Sequence, residues 1–229
     1  MPEHPDLVRL RKEYAKRSQR TDDTYSLFNP GHLFMIQQRQ RAVLHCLRSW
    51  GFSRLAGRRI LELGCGSGGV LLETLSFGAT AATLHGAELI FNSAQNAHQR
   101  LPGLPLTCAD GQTLPYAAQS FDISMQFTVF SSILDDGAKH NLAREMLRVT
   151  RTNGLIVWYD FWWNPTNPQT RGIRPEEVRR LFPGCAFHFE RITLAPPLAR
   201  RLAPLSWGLA LALEKLRIFN SHYLVAIRL

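Results

Sequence analysis

Between residues 60 and 161 the sequence alternates short apolar runs with helix-length stretches, and this constrains the fold more than any other feature. RRILEL, TLHGAEL, LTCAD, FDISMQF and LIVWYDF read as five strands. Helices are expected over 68–77, 92–101 and 138–149, the first ended by Gly78, and Asn153-Gly154 supplies the turn into the fifth strand. Strands joined by helices of this length imply crossovers, hence a parallel sheet covered on both faces. Downstream, WWNPTNPQTRG is loop chemistry, RPEEVRRLF a short helix and AFHFERITL a strand. A long apolar helix over 198–216 then leads to the strand HYLVAIRL. The last two strands either extend the sheet or form a hairpin at its edge.

Upstream, residues 5–17 read as a basic helix. Asn29-Pro30 starts a second, with a capping side chain and proline at the first helical position. It runs to Trp50 with Leu33, Ile36, Val43, Leu44, Leu47 and Trp50 on one stripe, and Gly51 closes it. No repeat or linker interrupts the chain. One structural domain is expected, with an N-terminal helical extension over 1–57 and an α/β body over 58–229 that carries a helical insertion at about 196–217.

The 229 residues suffice to bury such a core. Cys46, Cys65, Cys108 and Cys185 form no C-x-x-C pair, which argues against a zinc site or disulfide framework and fits a reducing cytosol. No signal-peptide core and no run of membrane-spanning length are present, so a cytoplasmic location is expected. The net charge of +9 is unevenly placed: residues 1–59 carry 12 Lys/Arg against 5 Asp/Glu, 60–160 carry 5 against 9, and 161–229 carry 10 against 4. Basic flanks suit an anionic substrate, a nucleic acid or an anionic membrane surface, and equally a plain solvated arginine-rich surface.

ILELGCGSGG places a glycine-rich turn between the first strand and its helix, letting backbone approach a ligand closely. The same glycines serve the pyrophosphate of a dinucleotide or the amino-acid end of S-adenosylmethionine. Glu62, two residues before Gly64, can reach an ammonium and would offer a pyrophosphate nothing. Glu88 ends the second strand, placed for ribose hydroxyls in either cofactor, and Asp110 ends the third, where it can accept an adenine amino group. A dehydrogenase would need a second catalytic domain or a Tyr-x-x-x-Lys pair, and neither is found.

With ILELGCGSGG, AEL, CADGQTLPYAAQSFDISMQF and EMLRVTRTNGLIVWYD in order, residues 58–161 resemble a class I S-adenosylmethionine-dependent methyltransferase of the small UbiE-like kind. Thr152-Asn153-Gly154 replaces the family's usual Pro-Gly-Gly. The resemblance implies a three-layer Rossmann-like α/β fold with a mostly parallel seven-stranded sheet, an antiparallel last strand and helices on both faces. It implies S-adenosylmethionine as cofactor, held by Glu62, Gly64, Cys65, Gly66, Glu88, Leu89, Asp110, Gly111 and Gln126, and no metal.

The acceptor should meet the segments leaving the fourth and fifth strands, at Phe127, Phe130, Tyr159, Trp162 and Trp163. Asp160 is the first candidate base, its alternative role being a turn cap or ion pair. His32 and Tyr25 can reach the site if the extension folds over the cofactor, although a lone histidine in a helix's first turn is more often structural. The expected reaction is in-line methyl transfer, at oxygen, to a small or lipid- or glycan-linked metabolite. RNA methylation and cofactor binding without turnover are the alternatives. The leucine-rich 198–216 segment, flanked by Arg200, Arg201, Lys215 and Arg217, suits a lid, a homodimer face or a peripheral membrane contact.

Overall fold

The computed structural model describes residues 5–18, 23–165 and 167–229. In chain order the elements begin with α1 (Pro5–Ser18), α2 (Pro30–Ser49), β1 (Ile60–Leu63), α3 (Gly69–Ser76), β2 (Leu84–Glu88), α4 (Phe91–Arg100) and β3 (Leu106–Cys108). They continue with β4 (Phe121–Phe127), α5 (Asp136–Val149), β5 (Thr150–Phe161), α6 (Pro175–Leu181) and β6 (Ala186–Leu194). The last are α7 (Pro196–Leu202), α8 (Trp207–Lys215) and β7 (Asn220–Arg228).

The strands form one seven-stranded sheet in the order β3-β2-β1-β4-β5-β7-β6. β1 to β5 pair in parallel, and β7 lies antiparallel between β5 and β6. The last two strands thus extend the sheet, with β7 inserted inside β6. Phe161 pairs with His222, so the beginning of β7 meets the end of β5.

Alternation along the strands divides the core in two. Leu155 and Val157 face α2 and α3 with Val43, Leu47 and Leu71, whereas Ile156 and Trp158 face α5 and α6 with Leu142, Met146 and Val178. All four residues of β1 are buried, as a central parallel strand requires. Burial of each large apolar side chain there, Ile60, Leu61 and Leu63, contributes about 1.5–3 kcal/mol.

Three expectations are corrected. Asn153-Gly154 makes no turn before the fifth strand. It lies inside β5, where the register slips so that Phe121 pairs with Thr150 and Ile123 with Leu155. The single helix over 198–216 is two: α7 ends before Pro204, which has no N–H to continue it, and Ser206 caps α8 by accepting from the Leu209 N–H. On α2 the buried side is Phe34, Gln38, Val43, Cys46 and Leu47, while Leu44 is exposed, because α7 and β6 cover the Phe34–Gln38 side.

Candidate active site

The turn after β1 is built from left-handed backbone. Gly64 (φ 69°) donates to the Ala87 carbonyl at 2.8 Å, and Gly66 (φ 53°) donates to the Glu88 carboxylate at 2.8 Å. A Cβ on Gly64 would stand 2.4 Å from the Val129 side chain, whereas one on Gly66 would meet nothing within 4 Å. Gly66 thus leaves open space beside the turn. Cys65 between them is buried, and burial with the nearby carboxylates Glu62 and Glu88 pushes its thiol far up.

Three carboxylates stand at the strand ends around this turn. Glu62 is buried, and its Oε2 has no hydrogen-bond partner. Burial pushes its carboxyl up to about 8, with Glu73 and Glu88 adding to the rise and Arg39 and the Leu71 N–H opposing it. Glu88 accepts from Gly66 and Ile90 N–H groups, both at 2.8 Å, and burial still raises its pKa against those bonds. Asp110 accepts from the Gln112 N–H at 2.9 Å and from its Nε2 at 3.2 Å.

A cleft of about 800 Å³, its open mouth included, runs over Glu88 and Asp110. Gly64, Gly66, Glu88, Leu89, Asp110 and Gly111 line it, with Phe127 and Val129 at the β4 end. Leu7 and Leu10 of α1 line it from the other side. Arg9 anchors that helix by donating to the Ser132 carbonyl at 2.6 Å.

Of the residues expected to hold the cofactor or the acceptor, Glu62, Cys65, Gln126 and Phe130 do not line the cleft; Glu62 and Cys65 are buried behind the glycine turn. Gln126 is fully buried, its Oε1 accepting from Val129 N–H at 3.0 Å and its Nε2 donating to the Tyr159 carbonyl at 3.3 Å. Phe130 packs in the core on Trp158 and Phe182. Asp160 is fully buried on the same face, accepting from Ser131 N–H at 3.0 Å and Phe161 N–H at 2.8 Å; burial pushes it up to about 6 despite those bonds. Its carboxylate clamps the turn at Ser131.

On the other face, next to Phe127, lies a cluster that the sequence did not disclose. The Arg39 guanidinium sits 5.5 Å from the Phe127 ring and 5.8 Å from the Tyr159 ring, and pairs with Glu73. Tyr159 stacks on His222 with ring centres 4.6 Å apart, and its hydroxyl shares a 2.9 Å hydrogen bond with Thr193. Burial pushes Tyr159 up to about 12, and burial with the Arg39 charge pushes His222 down to about 3. His32, seven residues before Arg39 on α2, is half-buried and lowered by burial, Arg39 and Arg200. The ring of Tyr25 meets it edge-on at 5.7 Å from an exposed turn.

Trp162 and Trp163 belong to a separate groove, lined also by Pro196, Pro197, Phe219 and Asn220. Trp162 donates to the Asn220 carbonyl at 2.8 Å beneath Arg191, while Trp163 is 53% exposed. Among the described residues no group of three His, Cys, Asp or Glu could hold a metal ion.

A sheet of order 3-2-1-4-5-7-6 with one antiparallel strand, and a glycine turn after β1 ringed by strand-end carboxylates, is the Rossmann-like methyltransferase fold. Residues 61–158, under half of the chain, match the family model described as a methyltransferase domain. With that match and the site's geometry, the cofactor is S-adenosylmethionine. The probable phthiotriol/phenolphthiotriol dimycocerosates methyltransferase 2 of Mycobacterium ulcerans is 34% identical over 116 residues, 46% of this chain and 40% of the relative. The sterol 4-C-methyltransferase strm-1 of Caenorhabditis elegans is 26% identical over 125 residues, 51% of this chain and 35% of the relative. The chain thus spans well under half the length of these curated relatives. The geranyl diphosphate C-methyltransferase of Streptomyces coelicolor A3(2), solved with Mg²⁺, geranyl diphosphate and S-adenosyl-L-homocysteine, shares the fold with a TM-score of 0.66 at 15% identity, over 99% of this chain and 98% of that one.

Proposed function

We propose that the protein transfers the methyl group of S-adenosylmethionine to a hydroxyl oxygen of a small apolar or lipid-linked metabolite. The observation that carries the acceptor class is the aromatic run over the ends of β4, β5 and β7, from Phe127 through Tyr159 and Phe161 to His222. The names of the three relatives agree with it: a dimycocerosate, a sterol and geranyl diphosphate.

The residues in and directly behind the cleft fit the cofactor. The unpartnered Oε2 of Glu62 takes its ammonium, and Glu88, which as a carboxylate has lone pairs beyond its two backbone donors, takes the ribose hydroxyls. Asp110 accepts the adenine amino group, with Leu89 and Gly111 lining its pocket and Cys65 packing beneath the turn. Leu7 and Leu10 of α1 close over it. Bound there, the cofactor supplies an electrophilic methyl group for in-line displacement. Phe127 and Val129 keep water from it, and alignment of the acceptor accounts for most of the acceleration.

His32 is the general base. Its lowered pKa keeps the ring neutral near pH 7, so it can take the acceptor's proton on an imidazole nitrogen. Tyr25 orients that ring, and Tyr159 stays protonated as a hydrogen-bond donor. Gln126 and Asp160 are positioning residues that hold the Val129–Ser131 turn. Trp162 and Trp163 guide an apolar tail along their groove, and Phe130 backs the turn from the core.

A carbon acceptor is the second reading, favoured by the two relatives named as C-methyltransferases. Incubation with methyl-¹³C cofactor and a fractionated lipid extract tests both. The ¹³C shift of the product separates an oxygen-bound from a carbon-bound methyl, and tight cofactor binding with no product would assign binding without turnover.

A further inference from the structure

We propose that the face built by α7, α8 and the turn at 218–219 seats the protein on an anionic lipid bilayer. The break between the two helices creates this face. α8 turns one side inward, where Ala210 is buried and Trp207 meets Phe34 edge-on at 5.0 Å. Its other side carries Leu209 and Ala212, with Leu205 just before the helix and Leu216 at its C-cap, all exposed. Leu205 is 82% exposed, and Ile218 beyond the helix is 64% exposed. Exposed leucines on and beside a helix whose inner side is already packed mark an interaction surface rather than a core.

The charges select the occupant. Between 196 and 219 stand four exposed cations, Arg200, Arg201, Lys215 and Arg217, and a single acid, Glu214; Arg217 also pairs with Glu190 of β6 at 3.0 Å, so the face keeps a net positive charge carried by Arg200, Arg201 and Lys215. A two-fold interface through this face would set those cations against their copies, whereas an anionic surface complements them. α7 and α8 are seven and nine residues long, and no helix among the described residues is long and apolar enough to cross a membrane, so the surface lies in the interface plane.

The Trp163 groove opens beside this face. It takes in Pro196 and Phe219 at the surface and Phe161 at the end of β5, and encloses about 930 Å³ with its mouth. An apolar chain drawn from a bilayer would meet it without crossing water, and Trp163 is the residue type enriched at such interfaces.

The test is flotation of the full chain with phosphatidylglycerol–phosphatidylcholine vesicles and with phosphatidylcholine alone, at low and high salt, beside sedimentation velocity and S-adenosylhomocysteine titration. The wild type should float with the anionic vesicles, and high salt should weaken this several-fold. Leu209→Glu/Leu216→Glu should lose at least tenfold in vesicle affinity at unchanged S-adenosylhomocysteine affinity and Tm. Arg200→Glu/Arg201→Glu should lose the preference for anionic lipid, and it tests the same face should the first variant fold poorly. The proposal is overturned if the wild type ignores anionic vesicles, if both variants float like the parent, or if the wild type is a dimer that Leu209→Glu/Leu216→Glu dissociates.

Discussion

Glu62 is buried beside two other carboxylates with one oxygen unpartnered, an arrangement that destabilises the protein as long as no cation arrives. A carboxyl whose folded pKa lies above its unfolded one contributes stability at low pH that is lost as pH rises. For Glu62 that window runs from 4.5 to about 8. Glu62→Gln should therefore melt higher than the parent at pH 8, with the gap closing toward pH 4.5, while its affinity for S-adenosylhomocysteine falls about tenfold or more. A melting series across pH and a calorimetric titration read the two effects separately. The glycine pair offers a second dissection. Gly66→Ala meets no protein atom and should lose only the roughly 1–2 kcal/mol of left-handed backbone, so any larger loss of cofactor affinity comes from the cleft. Gly64→Ala adds the collision with Val129 and should lose about 2–4 kcal/mol in urea melts.

At the level of elements, Asn29 accepts from Gly31 and His32 N–H groups at the start of α2. Asn29→Ala should lower stability by about 1 kcal/mol in urea melts and loosen the helix that carries His32 and Arg39. Gln126 acts on a turn rather than a helix. In Gln126→Leu the Tyr159 carbonyl keeps its bond from Thr128 N–H, so only the Val129 N–H is orphaned, at about 1–3 kcal/mol by denaturant titration. Most of the sheet was legible because β1 to β5 repeat one local rule, strand then helix. The strand-end acids were legible because their place depends only on that rule. The Arg39–Tyr159–His222 cluster was not: it needs α2 laid across the sheet and β7 reversed against β5, contacts set by residues far apart in sequence. The split of α7 from α8 was legible in Pro204 and Ser206, and the regular leucine spacing across them masked it.

For the molecule as a whole, α1 reaches across from the start of the chain to Ser132 and Gln169 through the Arg9 guanidinium. Arg9→Ala should weaken S-adenosylhomocysteine binding by about tenfold, with the larger part in the dissociation rate and little change in Tm. Stopped-flow displacement separates the rates. The insertion of β7 between β5 and β6 has a consequence for how the protein is made. The ribosome delivers β6 some thirty residues before β7, so β5 and β6 wait with open backbone edges until residues 220–228 emerge. During that interval both edges are templates for a neighbouring nascent chain. The sheet's interior is completed by the last of its seven strands in chain order, which makes the interval before residues 220–228 emerge, rather than the finished fold, the stage at which this sheet is most exposed to misassembly.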